Sequence, residues 1–192
     1  MRSPHPAPAR GPRGGFTFVE LAVGMTVLLV ALLILSSVVS SMAQQRAVNR
    51  ETALAISGAR NVLETLRSED FAEVFALYDS DPADDPGGAG TAPGQRFDVA
   101  GLDPLPGAVN GLEGEIVFPT VAGAGTSVQL REDVVNRALG MPRDLSGDNV
   151  VDAADHAQGY FILPVQIRVR WTGPNGPREY SMTTQLCRYN KS

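Results

Sequence analysis

Apolar and polar positions alternate very differently along the chain. From Leu21 to Val39 the sequence runs nineteen residues without a charge, almost all of them Leu, Val, Ala, Ile, Met or Gly. At 1.5 Å per residue, a helix of that length crosses a bilayer core of about 30 Å. Beyond this run the apolar positions become a stripe. Ala47, Leu54, Gly58, Val62 and Leu66 recur at steps of four or seven, with Ala55, Ala59 and Leu63 beside them. Arg46, Arg50, Glu51, Arg60, Glu64 and Arg67 fill much of the opposite face, and no proline stands between Phe16 and Tyr78. The pattern predicts one helix from Phe16 to Leu66, roughly 75 Å long. A domain of this size cannot cover such a helix, so its first half needs lipid or other copies of itself. Ser68, followed by Glu69 and Asp70, predicts the capped start of a second short helix running through Phe71 to Tyr78.

After Tyr78 the composition changes. Asp79 to Pro106 is rich in Pro, Gly and Asp and predicts a long surface loop. Its aspartates, Asp79, Asp81, Asp84 and Asp85, read either as a solvated run or as ligands for a cation. Leu112–Phe118 predicts a strand ended by Pro119, Val121–Leu130 a weaker one, and Glu132–Leu139 two helical turns closed by Gly140. The clearest strand signal is late. From Val165 to Trp171 apolar and polar residues alternate, Gly173-Pro174-Asn175-Gly176-Pro177 supplies a turn, and Arg178–Tyr189 returns as the partner. Val165, Ile167, Val169 and Trp171 should face the helix, with Gln166, Arg168 and Arg170 outward. The predicted class is α+β: a long N-terminal helix, its first half membrane-spanning, packed on a small C-terminal antiparallel β-sheet. The predicted segments are a basic stretch over 1–15, a membrane-spanning half of the helix over 16–41, a globular half over 42–78 and a loop-rich β domain over 79–192.

Length and charge narrow the function. The 192 residues suit one small globular domain beside a membrane helix, and the formal net charge is −5. Three arginines lie in residues 1–15, so the rest of the chain stands near −8. An acidic body of this kind gives no electrostatic footprint for general nucleic-acid binding. Single Cys187 cannot close an intramolecular disulfide and is expected as a buried strand residue. The histidines are His5 and His156, the latter expected at the surface; without it no Ser/His/Asp or Cys/His set can be assembled. No phosphate-binding glycine loop or zinc pattern is present either, so no enzymatic role is expected.

The junction before the apolar run carries the most specific signal. Gly15-Phe16-Thr17-Phe18-Val19-Glu20 resembles the cleavage and methylation motif of type IV prepilins and pseudopilins, with a pilin-like fold to match. The resemblance covers Met1 to about Ser41 and, more loosely, the helix to about Leu66. It implies that residues 1–15 are a basic cytoplasmic leader and 16–41 the assembly half of the helix, and that a prepilin peptidase cleaves after Gly15 and methylates the new amino group of Phe16. It implies too that Glu20 pairs with the Phe16 amine of a neighbouring subunit during assembly. Physical reasoning favours that role independently, because a carboxylate at membrane depth needs a cation and the run itself supplies no Lys or Arg. The implied partners are other pilins or pseudopilins through their N-terminal helices, an inner-membrane assembly platform, and lipid before assembly. The implied location is the bacterial inner membrane, single-pass with the C-terminus in the periplasm, and then a periplasmic or extracellular filament.

A second pattern lies at 144–155. Counting Asp144 as position one, Asp144, Ser146, Asp148, Asp152 and Asp155 put side-chain oxygens at one, three, five, nine and twelve, and Val150 offers its carbonyl at seven. These are the ligand positions of a twelve-residue calcium loop. The segment is similar to the calcium loop of dockerin domains, where Asp closes the coordination. Asn149 stands where Gly is usual, and Asn tolerates the left-handed conformation better than most residues. The alternative is an acidic turn without metal. Calcium here would be structural, folding the segment before the C-terminal hairpin in place of a disulfide.

The leading expectation is a minor pilin or pilin-like structural subunit of a type IV pilus. The alternatives are a pseudopilin of a type II secretion system, an adhesive tip subunit using the 79–106 loop, and a membrane-tethered calcium-binding domain that never polymerises.

Overall fold

The computed structural model describes residue 15 and residues 17–188. Residues 1–14 of the predicted leader and Phe16 of the processing junction therefore lie outside the described residues. The chain divides into two compact units, Met1–Gln45 and Arg46–Ser192. Helix α1 (Phe18–Ser68) contributes to each; the other elements belong to the second.

Within the first unit α1 stays uninterrupted through the charge-free run. Its apolar side chains make no core: Leu28 and Leu33 are 59% and 71% exposed. The helix is long and apolar enough to cross a membrane, and none of its most apolar window is buried by the chain itself.

In the second unit the rest of α1 buries Ala55, Ala59, Leu63 and Leu66. The spacing of four, four and three residues keeps them on one face. Small residues at the centre of this stripe bring the backbone close to its neighbours. Gly58 is one of them, and a Cβ there would stand 2.9 Å from the Val99 methyls. Leu54 and Val62 from the predicted stripe are only half buried, at its margins.

The sheet is antiparallel, in the order β1 (Arg96–Phe97), β2 (Gly114–Val117), β5 (Ile162–Gly173), β6 (Gly176–Cys187). Between β2 and β5 a separate hairpin forms from β3 (Thr120–Ala122) and β4 (Val128–Leu130). Val165, Ile167, Val169 and Trp171 are all but fully buried, as their alternation predicts, and pack in one core with the α1 stripe. Trp171 also reaches α1 through a polar contact, donating its indole N–H to Glu51 Oε2 at 3.0 Å. The outward row pairs Arg96 with Glu115 and Glu115 with Arg168 across three strands. Arg96 and Arg168 lie 2.8 and 3.4 Å from the Glu115 carboxylate.

The β5–β6 connection shows why the turn works. Pro174 holds φ near −65°, which excludes the primed two-residue turns that need positive φ at that position. Gly176 instead takes φ 108°, a value only glycine adopts cheaply, and Gly173 pairs with Gly176.

Several local expectations are corrected. Ser68 does not cap a second helix; it is the last residue of α1 and its hydroxyl donates to the Thr65 carbonyl at 2.8 Å. Asp70 instead forms a local turn, accepting the Ala72 amide at 3.0 Å, and the second helix α2 is only Val74–Tyr78, whose N-cap residue Glu73 makes no side-chain cap. Phe71 lies before it, edge-on to Tyr160 at 4.9 Å between ring centroids. Tyr160 donates to the Phe71 carbonyl at 2.6 Å and accepts the Phe75 amide, and burial pushes its phenol up to about 12. The helical turns expected over Glu132–Leu139 shrink to a single 3₁₀ turn, Arg137–Leu139, capped by Asn136 and closed by Gly140 at φ 70°. Cys187 is exposed, not buried. It sits opposite Ile162 on the outward face of the hairpin.

Candidate metal centre and membrane helix

At the start of α1, Thr17 is positioned as the cap. Its Oγ1 accepts the Glu20 amide at 3.2 Å and its carbonyl accepts the Leu21 amide at 3.1 Å. Thr17-x-x-Glu20 therefore has the spacing of a capping box, and the acidic residue in the first turn complements the helix dipole. This local signal was present in the sequence beside the processing motif. Gly15 and Glu20 are both exposed.

The 144–155 segment folds as a chain of side-chain-to-backbone turns. Asp144 Oδ1 accepts the Gly147 amide at 2.6 Å and the Ser146 hydroxyl at 3.3 Å, while its Oδ2 accepts the Asn149 amide at 2.7 Å. Asp148 accepts the Val150 amide at 2.8 Å and Asp152 the Ala154 amide at 2.7 Å. Desolvation would raise the Asp144 carboxyl, but the Gly147 and Asn149 amides and the Ser146 hydroxyl hold it below the usual carboxylate range. The Ala154 amide, then His156, lower that of Asp152. Asn149 adopts φ 66°, the left-handed conformation required where such loops usually place glycine. Asp148, Val150 and Asp155 are exposed, whereas Asp144, Ser146 and Asp152 are half buried. Asp155 turns away toward the hairpin, its Oδ1 accepting the Leu130 and Ala157 amides, both at 3.1 Å.

Beneath this loop lies a residue that the sequence reading passed over. Glu132, fully buried, lies just past β4. Its Oε1 accepts the amides of Leu145 and Ser146 at 2.7 and 2.9 Å, and its Oε2 that of Asp152 at 3.4 Å. One carboxylate thus ties both ends of the acidic loop to the β3–β4 hairpin. His156 is drawn in as well, its Nε2 lying 3.1 Å from Asp152 Oδ1 and 3.6 Å from Glu132 Oε1. The expectation of a surface histidine is corrected: its side chain keeps only 12% exposure.

Glu132, Asp152 and His156 each offer a ligand atom within 4.8 Å of the others, so this group could hold a metal ion. Of the six sequence-predicted ligands, Asp152 alone belongs to it; Asp144, Ser146, Asp148, Val150 and Asp155 surround it on the loop. Glu132 carries no local signal, since its partners lie thirteen or more residues away. Compared with protein-family models, with curated proteins and with solved structures, the chain matches none.

Proposed function

We propose that the chain is a minor, pilin-like subunit of a type IV pilus-type filament, processed after Gly15 and assembled through its N-terminal helix. The observation that carries this reading is the uncovered apolar length of α1 directly behind Gly15-Phe16-Thr17-Phe18-Val19-Glu20. A helix that exposes Leu, Val and Ile along its first half must be solvated by lipid tails or by the same helix of other copies. A filament supplies the second environment and a membrane the first, and such a subunit moves from one to the other. Glu20 then meets the Phe16 amine of a neighbour, which neutralises its charge away from water.

Calcium in the 144–155 loop is part of the same reading. Its ligands would be Asp144, Ser146, Asp148, the Val150 carbonyl and Asp152, with Asp155 swinging back from the Leu130 and Ala157 amides to close the set, and its role structural. Support comes from Asn149 at the sixth position with φ 66° and from Asp144 gathering the amides of the fourth and sixth.

The deciding experiment is a mass-spectrometric count of this protein in sheared surface fibres, relative to the most abundant subunit. A small share beginning at methylated Phe16 is the expected result. A dominant share would make it the major subunit. Processed protein confined to the membrane would make it a secretion pseudopilin. An uncleaved terminus throughout would sink the filament reading.

A further inference from the structure

Glu132 is a fully buried carboxylate with coordination capacity left over. A carboxylate accepts at about four lone-pair sites. Two amides fill Oε1, at 2.7 and 2.9 Å, while Oε2 has only a long 3.4 Å contact from the Asp152 amide. Among the described residues its one ion-pair contact is His156, and 3.6 Å is too long for a hydrogen bond. Carboxylates buried this deeply are usually paired with a cation or bound to a metal.

What separates this group from a run of acids is the imidazole aimed between its two carboxylates. His156 Nε2 lies 3.1 Å from Asp152 Oδ1 and 3.6 Å from Glu132 Oε1. Nitrogen and oxygen ligands of a tetrahedral zinc ion, bonded at about 2.0–2.2 Å, stand about 3.4 Å apart, and the two separations straddle that edge. Ligand atoms from all three residues lie within 4.8 Å of one another, so one ion reaches them all. We propose that Glu132, Asp152 and His156 form a three-ligand site for a transition-metal dication of the zinc class, with water in the fourth position. An imidazole beside two carboxylates suits zinc or nickel, whereas calcium takes six to eight oxygens. Nε2 would be the ligand and Nδ1 would keep the proton. The ion would join the residue just past β4 to both Asp152 and His156, reinforcing the tie between the acidic loop and the β3–β4 hairpin. The site rests on neither the filament reading nor calcium in the loop, although Asp152 serves both ligand sets.

The test is NMR of the His156 ring nitrogens in the isotope-labelled full-length chain in detergent micelles, stripped of metal by chelation and then titrated with zinc chloride. His5→Gln assigns the signals, since His5 and His156 are the histidines of the chain. One equivalent of zinc should complete the shift of Nε2 and leave Nδ1 protonated. In Asp152→Asn the same shift should need at least about ten equivalents. It should be unchanged in Asp148→Asn, which removes a ligand of the calcium set alone, so failure of the calcium reading leaves these outcomes as they stand. An imidazole that merely donates its Nε2 proton to Asp152 would keep that proton at one equivalent of zinc, and that result would overturn the proposal. Completion at one equivalent in Asp152→Asn, or loss of the shift in Asp148→Asn, would overturn it too. If the β5 and β6 amide signals show that Asp152→Asn does not fold, Glu132→Gln takes its place; the unmodified-chain titration decides regardless.

Discussion

Glu132 shows how much one side chain can organise. It is fully buried yet ionisable, and three backbone amides and an imidazole converge on it. Removing the carboxylate orphans the amides of Leu145 and Ser146, each at a cost of about 1–3 kcal/mol. Glu132→Ala should therefore destabilise the fold by about 3 kcal/mol, with Glu132→Gln recovering part of the loss through its carbonyl oxygen. Urea unfolding followed by the fluorescence of Trp171, the single tryptophan, measures both. Equal stability of the alanine variant would show that the loop does not depend on this tie.

Asp79 makes the opposite prediction. Its folded carboxyl, raised to about 7, lies above the unfolded value near 3.9. Folding is then unaffected by this group below about pH 4, loses stability as pH rises toward 7, and carries the full penalty above it. In chelator, Asp79→Asn should raise the melting temperature at about pH 8 by at least about 3 °C and leave it unchanged near pH 4. A variant that melts lower than the unmodified chain at both pH values would remove that account.

At the scale of elements, the acidic loop and the C-terminal hairpin show what sequence could and could not reveal. The hairpin was legible because period-two alternation and the Gly-Pro-Asn-Gly turn agree. The Cys187 error has a physical source in the same element. Gly173 pairs with Gly176, so odd residues of β5 oppose even residues of β6. Inward Val165, Ile167 and Val169 then place Thr184, Met182 and Tyr180 inward and Cys187 outward. Parity settles the point where hydrophobicity misleads. The loop's spacing was equally legible, since twelve residues fix which side chains share a turn. Its anchorage was not, because Glu132 reaches it only through tertiary structure.

The loop should also report on its own occupancy. Asp144 and Asp152 have depressed carboxyl pKa values, so their contribution is present above the unfolded value near 3.9 and is lost as pH falls through the lower folded values. Any bound calcium leaves in the same range, because protonated carboxyls are poor ligands. Melting the full chain in detergent should give a transition at least about 3 °C higher with calcium than with chelator. To assign that shift to this loop, Asp148→Asn should reduce it. Identical melting curves with and without calcium would remove the metal from the loop.

The whole molecule joins a unit that needs no apolar partner to one that cannot do without it. The Arg46–Ser192 unit closes its own core around Trp171, Phe75 and Ile167, whereas the apolar run of α1 has no cover within the chain. That division was legible because the run lacks charges and the following stripe has them. The capping geometry at Thr17 was less prominent because the same residues also fit the processing motif. The two readings of Glu20 make different predictions. If it serves only as the third residue of the helix cap, Glu20→Ala weakens the first turn by about 1 kcal/mol or less, and filaments still form. If it pairs with a neighbour's α-amine, the substitution removes the charge match, since the next basic residue along the chain is Arg46. The expected outcome is normal membrane insertion and leader cleavage with loss of the protein from sheared fibres. Glu20→Gln is the sharper form of the experiment, because glutamine keeps a capping-box side chain while deleting the charge. Incorporation of Glu20→Gln at the unmodified level would reduce Glu20 to a helix cap; exclusion of both variants, with processing intact, would leave the charge itself as the element that carries a membrane subunit into its filament.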